Sequence, residues 1–544
     1  MIGRLPLKVL EVQPLTGTAA SVRLPESGNM ADVPGMTGAR HLVILIQGHS
    51  THTDALVNVE MQLNGDTGSN YDYQQANHIT TSPSGNRLGG QDSIHVGMTV
   101  GTGGSQDDPT DTHIFIPLAF ESDNDIGSLS YSGAHEDYGR YVVGRWDDSS
   151  QSAITSLIVF PSAGSWNAKT VVKLCVVDET QLIDDVDLGS TGVLSVASIG
   201  STFGDIVCVG SLQGSASYSN ANLNMLFNND TTVTNYHEQH MQAFGTAAAA
   251  DTANTARVGI TTAASGTANA FAPFLGTIHR YADTDDDPSV TSISGVINSG
   301  SDGGVRLMHM HRNNVEAINR VDLVVDASPA TFSAESYMGI YKAKASHVLE
   351  TVPVEAGAET DTILFTLSEY TVPSGSDLRV TLYGRGDQDA AGTACDIYFN
   401  GDTTYANYDN AFLYGSGTSL NSYSSAENPY FGSVPAASEG GDRFGGASAL
   451  ILEHDKADRH KIFLSQYGTA EGNQMGFNSC RWENDAAITS VTIFLRVGDF
   501  IAGTFAVLEA ITPDGWTGTV MGVANPGKVM GVERANIGKI MGVA

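Results

Sequence analysis

The stretch NGDTGSNY at residues 64–71 occurs in three versions, because it returns as NNDTTVTNY at 228–236 and as NGDTTYANY at 400–408. The first asparagines of the three copies lie 164 and 172 positions apart. Each copy follows a short run in which apolar and polar residues alternate, such as VEMQL at 59–63. The positions of other recurring stretches can therefore be compared with the spacing of this repeat.

Two further markers recur in the same order. The first is a strand-like run that begins at Leu42, Ile206 and Leu378, again 164 and 172 positions apart. The second closes each copy and reads ITSLIVF at 154–160, INRVDLV at 318–324 and ITSVTIF at 488–494. Independent markers at nearly constant offsets indicate a tandem triplication.

The runs within each copy are short, rich in Val, Ile, Thr, Tyr and Phe, and separated by turn signals such as Asn-Gly and Gly-Gly. This pattern predicts an all-β protein whose strands have one buried face. A repeat of about 150 to 165 residues fits an eight- to ten-stranded sandwich of the jelly-roll type. We therefore expect three tandem jelly-roll-like domains. The predicted division is an N-terminal arm at 1–28, sandwiches at 29–180, 181–345 and 346–514, and a C-terminal tail at 515–544.

Composition limits the function classes. The 544 residues include 60 glycines and carry a net charge of −33, which disfavours nucleic acid and anionic membranes as partners. The start, MIGRLPLKVLEVQPL, lacks the apolar core of a signal peptide, and no stretch is long enough to span a bilayer. We expect synthesis in the host cytoplasm without membrane insertion. Four cysteines do not make a disulfide framework.

The repeated Asn-Gly-Asp-Thr stretch has two readings. Asn-Gly favours a tight turn with positive φ, and Asp and Thr bond nearby backbone groups, so the stretch is first a structural corner. Alternatively, Asp66, Asp230 and Asp402 are hard oxygen ligands suited to Ca²⁺. One carboxylate per loop is few for calcium, so other acidic loops would have to contribute. No other cofactor is expected.

The sequence contains few other motifs typical of metal binding or catalysis. His309-x-His311 places two imidazoles on one strand face, but no third metal ligand has a matching position, and core histidines are the favoured reading. No GxSxG, HExxH or phosphate-binding glycine loop occurs. Three similar domains without a catalytic set predict a protein that is not an enzyme. The least repeated segments, in the middle of each copy, are interpreted as long recognition loops, and 245–256 is the best helix candidate.

The chain changes character beyond about residue 514. The unit NxGK[VI]MGV occurs twice, with a half copy before it. It is apolar, spaced by glycines and too short to form a core, so we expect it to dock on a neighbouring molecule. The predicted assembly residues are Val520, Met521, Val523, Val529, Met530, Val532, Ile537, Ile540, Met541 and Val543.

Two features resemble structural proteins of tailed bacteriophages. Strands that end in FNGDT and are followed by AITSVTIF and GDFIAGTFAVLEAI look like the β-sandwich modules of virion appendage and minor structural proteins. The tail IGKIMGV is similar to the KVMGV or KVNGV repeats that end many such proteins. The middle copy departs from the pattern at Asn229, Asp326 and Pro329.

This resemblance implies a virion protein, either a tail fibre or appendage or a capsid decoration protein. It would be a homo-oligomer, a trimer more readily than a dimer, that contacts other virion proteins through its tail. The alternative hypothesis is a calcium-dependent adhesin or receptor-binding protein that grips a host-surface glycan with aromatic side chains. The residues predicted for that role are Tyr430, Phe431 and Trp482.

Overall fold

The computed structural model describes most of the chain to residue 512 and four short segments beyond it. The described ranges are 2–79, 82–103, 109–122, 125–134, 138–147, 152–200, 205–217, 219–265, 269–284, 287–297, 303–326, 331–343, 347–373, 375–390, 392–426, 428–438, 444–469, 474–512, 519–520, 523–524, 528–529 and 532–533. Within them the fold is all-β, as predicted. The helical segments there are six 3-10 turns, Ile2–Arg4, Met30–Asp32, Glu179–Gln181, Val233–Asn235, Leu367–Glu369 and Tyr405–Asn407.

The first unit has twelve strands. They are Leu7–Pro14 (β1), Val22–Leu24 (β2), Leu42–Gly48 (β3), Leu56–Leu63 (β4), Tyr71–Ile79 (β5), Ser82–Gln91 (β6), Ile94–Val100 (β7), Thr110–Ile116 (β8), Ile126–Ala134 (β9), Tyr138–Trp146 (β10), Leu157–Pro161 (β11) and Val171–Val177 (β12). A large sheet has the order β1-β12-β3-β8-β9-β10-β5-β6, and a small sheet has the order β2-β11-β4-β7.

This order is a jelly roll with two added hairpins. Strands from opposite ends of the unit pair as β1 with β12, β2 with β11, β3 with β8 and β4 with β7, as in one long hairpin rolled over two sheets. The hairpins β5–β6 and β9–β10 both widen the large sheet. They account for twelve strands where the sequence predicts eight to ten. Residues 7–24, assigned to an arm, instead supply β1 and β2.

The second unit repeats this plan. Its strands are Leu182–Asp187 (β13), Leu194–Ala197 (β14), Ile206–Gly214 (β15), Asn220–Phe227 (β16), Tyr236–Phe244 (β17), Ala247–Ala253 (β18), Arg257–Ala263 (β19), Ala272–His279 (β20), Ser289–Val296 (β21), Gly304–Arg312 (β22), Arg320–Val325 (β23) and Tyr337–Lys342 (β24). The large sheet runs β13-β24-β15-β20-β21-β22-β17-β18 and the small one β14-β23-β16-β19. A short parallel contact between β15 and β19 joins the two. The helix candidate at 245–256 is mostly strand β18.

The third unit has the same order again. Its strands are His347–Pro353 (β25), Thr362–Thr366 (β26), Asp377–Gly384 (β27), Gly392–Phe399 (β28), Tyr408–Ser416 (β29), Ser419–Ala426 (β30), Tyr430–Pro435 (β31), Gly445–Ile451 (β32), Lys461–Thr469 (β33), Gln474–Trp482 (β34), Ser490–Leu495 (β35) and Phe505–Ile511 (β36). The sheets run β25-β36-β27-β32-β33-β34-β29-β30 and β26-β35-β28-β31. Two short hairpins follow in the tail, Thr519–Val520 with Val523–Ala524 and Lys528–Val529 with Val532–Glu533.

The two kinds of sheet are buried differently. Strands β4 and β16 of the small sheets alternate between buried and half-buried positions, so their outer face meets solvent. Strands β3, β8, β22 and β33 of the large sheets are buried at every position. Because a strand has two faces, full burial requires that the outer face of each large sheet be covered as well. The neighbouring units cover it.

The three large sheets meet around a common centre. Strand β5 contacts β22, β17 contacts β34, and β29 contacts β10, which is one contact repeated from unit to unit until the ring closes. The hairpins β5–β6, β17–β18 and β29–β30 also contact one another. The core of the first unit continues through this centre into residues such as Met241, Leu307, Leu413 and Phe477. The units therefore form a closed head-to-tail ring with pseudo-threefold symmetry, not a linear array.

Candidate functional site: the inter-unit interface

The repeated corner is fully explained by internal contacts. Asn64, Asn228 and Asn400 have φ of 52°, 53° and 55°, and the residue that follows each is also left-handed. In the third unit, Asn400 Oδ1 accepts hydrogen bonds from the N–H of Thr489 (2.6 Å) and of Ser490 (3.2 Å), and its Nδ2 donates to Ala487 O (2.9 Å). The asparagine thus ties the corner to the closing strand, as Asn64 and Asn228 also do.

The aspartates hold the other side of each corner. Asp402 Oδ2 accepts hydrogen bonds from Trp482 Nε1 at 2.9 Å and from Asn407 Nδ2 at 2.7 Å, and its Oδ1 accepts from the N–H of Thr404. Burial opposes the charged form, but these donors outweigh it and lower the pKa of Asp402. Asp66 has the same arrangement with Trp146.

In the second unit Arg312 occupies the tryptophan position and donates to Asp230 at 3.1 Å. In the described part of the chain, no group of three or more His, Cys, Asp or Glu side chains is placed to hold a metal ion. Donors already occupy the carboxylate oxygens of all three corners, so the geometry supports the corner reading of Asp66, Asp230 and Asp402. Calcium binding there stays an untested prediction.

The aromatic residues predicted to bind glycan are in the wrong place for that role. Phe431 and Trp482 are 0% and 1% exposed, and Tyr430 is 7% exposed. All three belong to the hydrophobic core of the third unit. Strands β31 and β34, which carry these residues, are buried on both faces along almost their whole length, and local sequence does not show that both faces of a strand are covered.

The predicted assembly residues are only partly described. Val520, Val523, Val529 and Val532 lie on the two short tail hairpins. Met521, Met530, Ile537, Ile540, Met541 and Val543 lie outside the described residues. Val520 pairs with Val523, and Val529 pairs with Val532, so successive copies of the tail repeat form the same local structure.

One glycine in each unit makes the closest inter-unit approach. Gly133, Gly295 and Gly468 occupy the same position on β9, β21 and β33. A Cβ added at Gly295 would lie 2.5 Å from the Cβ of Val143 in the first unit. Gly133 faces Ser479 of the third unit and Gly468 faces His309 of the second unit more closely still. Since Val143, His309 and Ser479 are also equivalent positions, one contact is built three times around the ring.

Glutamines add a second repeated link. Gln74 Nε2 donates to Gly245 O of the next unit at 2.9 Å, and Gln239 Nε2 donates to Gly417 O at 2.9 Å. The equivalent residue of the third unit is Ala411, whose side chain cannot form this hydrogen bond. The segments predicted to be recognition loops fall only partly on these hairpins, since 82–91 is strand β6 and 423–426 ends strand β30. The hairpins pack against one another and leave at the centre a cleft of about 10 Å³, room for roughly one water.

The outer parts of the three interfaces are polar and differ from one another. Between the third and first units, Lys173 Nζ lies 2.6 Å from Asp377 Oδ1 and 2.7 Å from Glu453 Oε1, with all three side chains buried. Burial would lower the pKa of Lys173, but the two carboxylates outweigh it and raise that pKa. Between the second and third units, the guanidinium of Arg280 lies 4.8 Å from the ring centre of Tyr383.

Histidines are buried at the same interfaces. His41 Nδ1 accepts from the N–H of Leu118 at 3.1 Å, so its Nε2 donates to Tyr341 Oη of the second unit at 3.0 Å. In this neutral tautomer both ring nitrogens of His41 have a hydrogen-bond partner. Burial, and then the charge of Arg40, lowers the pKa of His41 to about 3. Burial likewise lowers the pKa of His309 to about 3. His309 and His311, which the sequence favoured as packed histidines over metal ligands, lie on strand β22, which is buried at every position.

The sequence did not predict the glycine contact. The three glycines lie 13, 17 and 14 positions before Trp146, Arg312 and Trp482, so no constant spacing marks them. Nothing in a single glycine distinguishes a turn residue from a point of close packing. The ring itself defines the class of molecule: three jelly-roll units of one chain, arranged like a trimer, whose described surfaces pack against one another around a common centre.

Comparison with known proteins adds no family. No protein-family model matches the chain, and no curated protein matches it. Among solved structures, a monomeric dehydratase domain from a trans-AT polyketide synthase split module is 9% identical, covering 54% of this chain and 99% of its own, with a TM-score of 0.10. The translocator domain of the autotransporter NalP from Neisseria meningitidis is 8% identical, covering 80% and 88%, with a TM-score of 0.08. Scores this low carry no argument about fold or function.

None of the helical segments in the described part of the chain is long and apolar enough to cross a bilayer.

Proposed function

We propose that this chain is a non-enzymatic structural protein of a tailed-phage virion, serving as an appendage or as a decoration protein on the capsid. The observation that carries the proposal is the closed ring of three equivalent jelly rolls in one chain. A head-to-tail interface that closes on itself is self-limiting, so it yields a discrete, rigid particle and not a filament. The resemblance of the corner and tail sequences to phage structural modules supports the same role.

Rigidity is the property that this architecture supplies. The central strands of the large sheets are buried on both faces, and ion pairs link the units, as in the contact of Lys173 with Asp377 and Glu453. Because the three units belong to one chain, the protein cannot dissociate into subunits on dilution. Mechanical force likewise acts on a single connected structure. Those properties suit a component of an extracellular particle better than a soluble regulator.

The tail is proposed to attach this body to its neighbours. It lies beyond the last strand of the third unit, and each described repeat pairs with itself in a two-stranded hairpin. Such hairpins are too small to be stable alone. We propose that they gain stability by docking on other virion proteins or on tails of other copies, and that self-association follows from this.

The test is the location of the protein in purified particles. Negative-stain images of virions labelled with an antibody to this chain should show it at a fixed position on each particle. Deleting residues 520–544 should leave the three sandwiches folded, by melting temperature, but abolish incorporation. A control with the same tail residues in scrambled order should also fail to incorporate. Absence of the protein from washed virions would refute the proposal.

A further inference from the structure

We infer that the third unit carries a binding site for neutral glycans, centred on Tyr405. This site does not depend on membership of a virion. It replaces the buried set Tyr430, Phe431 and Trp482, and it requires no metal ion. The evidence is an exposed aromatic ring that is fixed in place beside polar groups and that has no counterpart in the second unit.

Tyr405 lies on the 3-10 turn that follows the third corner, and its side chain is 43% exposed. Its ring stacks on that of Tyr398 with an interplanar angle of 8° and a centroid separation of 6.2 Å. Its hydroxyl donates to Asp396 Oδ2 at 3.2 Å. The ring is therefore held from one face and from its tip, which leaves the remaining surface as a rigid apolar platform.

Polar groups adjoin this platform. Asp396 is buried and accepts two hydrogen bonds from Arg496 at 2.8 and 2.6 Å, so the charges of the pair cancel locally. The side chain of Arg496 remains 30% exposed after making these bonds. It also donates to Asn428. A guanidinium edge and an amide thus lie beside the exposed ring.

This combination matches a sugar. A pyranose has an apolar face of C–H groups that packs on an aromatic ring and a periphery of hydroxyls that bond to guanidinium and amide groups. The net charge of −33 repels anionic ligands over the whole molecule, whereas the locally neutral site has no such penalty for an uncharged glycan. Because the ring is already immobilised, binding loses little side-chain entropy.

The second unit supplies a natural control. Its residues at the positions of Asp396, Tyr398 and Tyr405 are Asn224, Leu226 and Val233, and Asp326 stands where the third unit has Arg496. Val233 is 50% exposed on the equivalent 3-10 turn. The second unit therefore lacks the aromatic platform, although it forms the same 3-10 turn.

The experiment is binding of the purified full-length chain to an array of neutral glycans in the presence of EDTA, followed by titration calorimetry with the best glycan. Tyr405→Ala should weaken binding about tenfold or more, because it removes the aromatic contact. Tyr405→Phe keeps the ring and should weaken binding less than threefold, while Val233→Ala should have no effect. Circular dichroism melting curves would establish that each variant is folded.

Four outcomes would overturn the inference. The first three are an array without binding whether or not EDTA is present, a glycan whose affinity is unchanged by Tyr405→Ala, and binding that occurs without EDTA but not with it. The last result would place the glycan at a metal-dependent site elsewhere on the molecule. Equal loss in Tyr405→Ala and Val233→Ala would likewise show that the corner turns, and not the aromatic platform, are responsible.

Discussion

The contact between Gly295 and Val143 gives the most direct test of the ring. In Gly295→Ala the new Cβ would lie 2.5 Å from the Cβ of Val143, and 2.7 and 2.8 Å from its two methyl groups. Carbon atoms pack at about 3.5 to 4.0 Å. The neighbouring strands must therefore separate by roughly 1 Å, and both are central strands of large sheets that are buried along almost their whole length.

Overpacking of this kind costs about 1 to 3 kcal/mol, and we expect the upper part of that range because the obstacle is a β-branched side chain on a strand. For a unit of this size, 1 kcal/mol shifts the melting temperature by about 2 to 4 °C. Differential scanning calorimetry should therefore show a melting temperature lower by roughly 5 to 10 °C. Limited proteolysis should cut between the first and second units sooner than in the wild type.

The matched control is Gly189→Ala, at an exposed glycine with no atom within 4 Å of the added Cβ. It should leave stability unchanged or raise it slightly. A double-mutant cycle isolates the contact: the cost of Gly295→Ala should be at least about 1 kcal/mol smaller when Val143→Gly is also present. A variant that melts like the wild type, or a cost unaffected by Val143→Gly, would refute the head-to-tail packing described here.

Three further predictions concern the corner, the buried ion cluster and the histidines. Asn400→Ala removes hydrogen bonds to the closing strand and a residue suited to positive φ, so thermal unfolding should show a loss of about 2 kcal/mol; an unchanged melting temperature would contradict the structural reading of the corner. Lys173→Met leaves two buried carboxylates without their cation and should cost about 3 kcal/mol in denaturant unfolding. The control is Lys456, whose side chain is 40% exposed and lies 3.6 Å from Asp455 and 3.9 Å from Glu453, and Lys456→Met should change stability by less than about 1 kcal/mol. Similar effects of the two substitutions would count against the buried cluster. The pKa of His41 is about 3 in the fold against 6.5 in the unfolded chain, so its contribution is complete above pH 6.5 and is lost as the pH falls toward 3. In His41→Gln the slope of unfolding free energy against pH in that window should therefore be shallower by about 1.4 kcal/mol per pH unit, and an unchanged slope would place the histidine in solvent.

The repeated Asn-Gly-Asp-Thr corner shows how much about a motif can be predicted from the sequence. Asn-Gly-Asp-Thr contains the residues of a tight turn and the residues of a cation site, and their spacing alone does not separate the two. The distinction depends on the partners of the carboxylate, which are Trp482 and Asn407 in the third unit. Trp482 lies 80 positions away in sequence, so only the fold brings it to Asp402.

The same limit explains why the aromatic residues that the sequence predicted to bind glycan are buried. Tyr405 and Trp482 are both aromatic residues near the third corner, and nothing local ranks one above the other. Tyr405 is on the turn, where a side chain projects outward, while Trp482 ends a central strand and points between the sheets. Exposure is a property of the assembled sandwich, so the sequence shows that both residues are aromatic but not that Tyr405 is exposed and Trp482 buried.

The sequence by itself determined the triplication, the all-β class and the jelly-roll type of each unit, because repeated markers, alternation and turn residues are local signals. Only the tertiary structure decided how the units sit together. Alternation shows that a strand has two different faces, but it does not show whether the second face meets water or another unit. In strands such as β9 and β21 that second face holds Gly133 and Gly295, and the approach of a neighbouring strand, not any local preference, requires a residue without a side chain there.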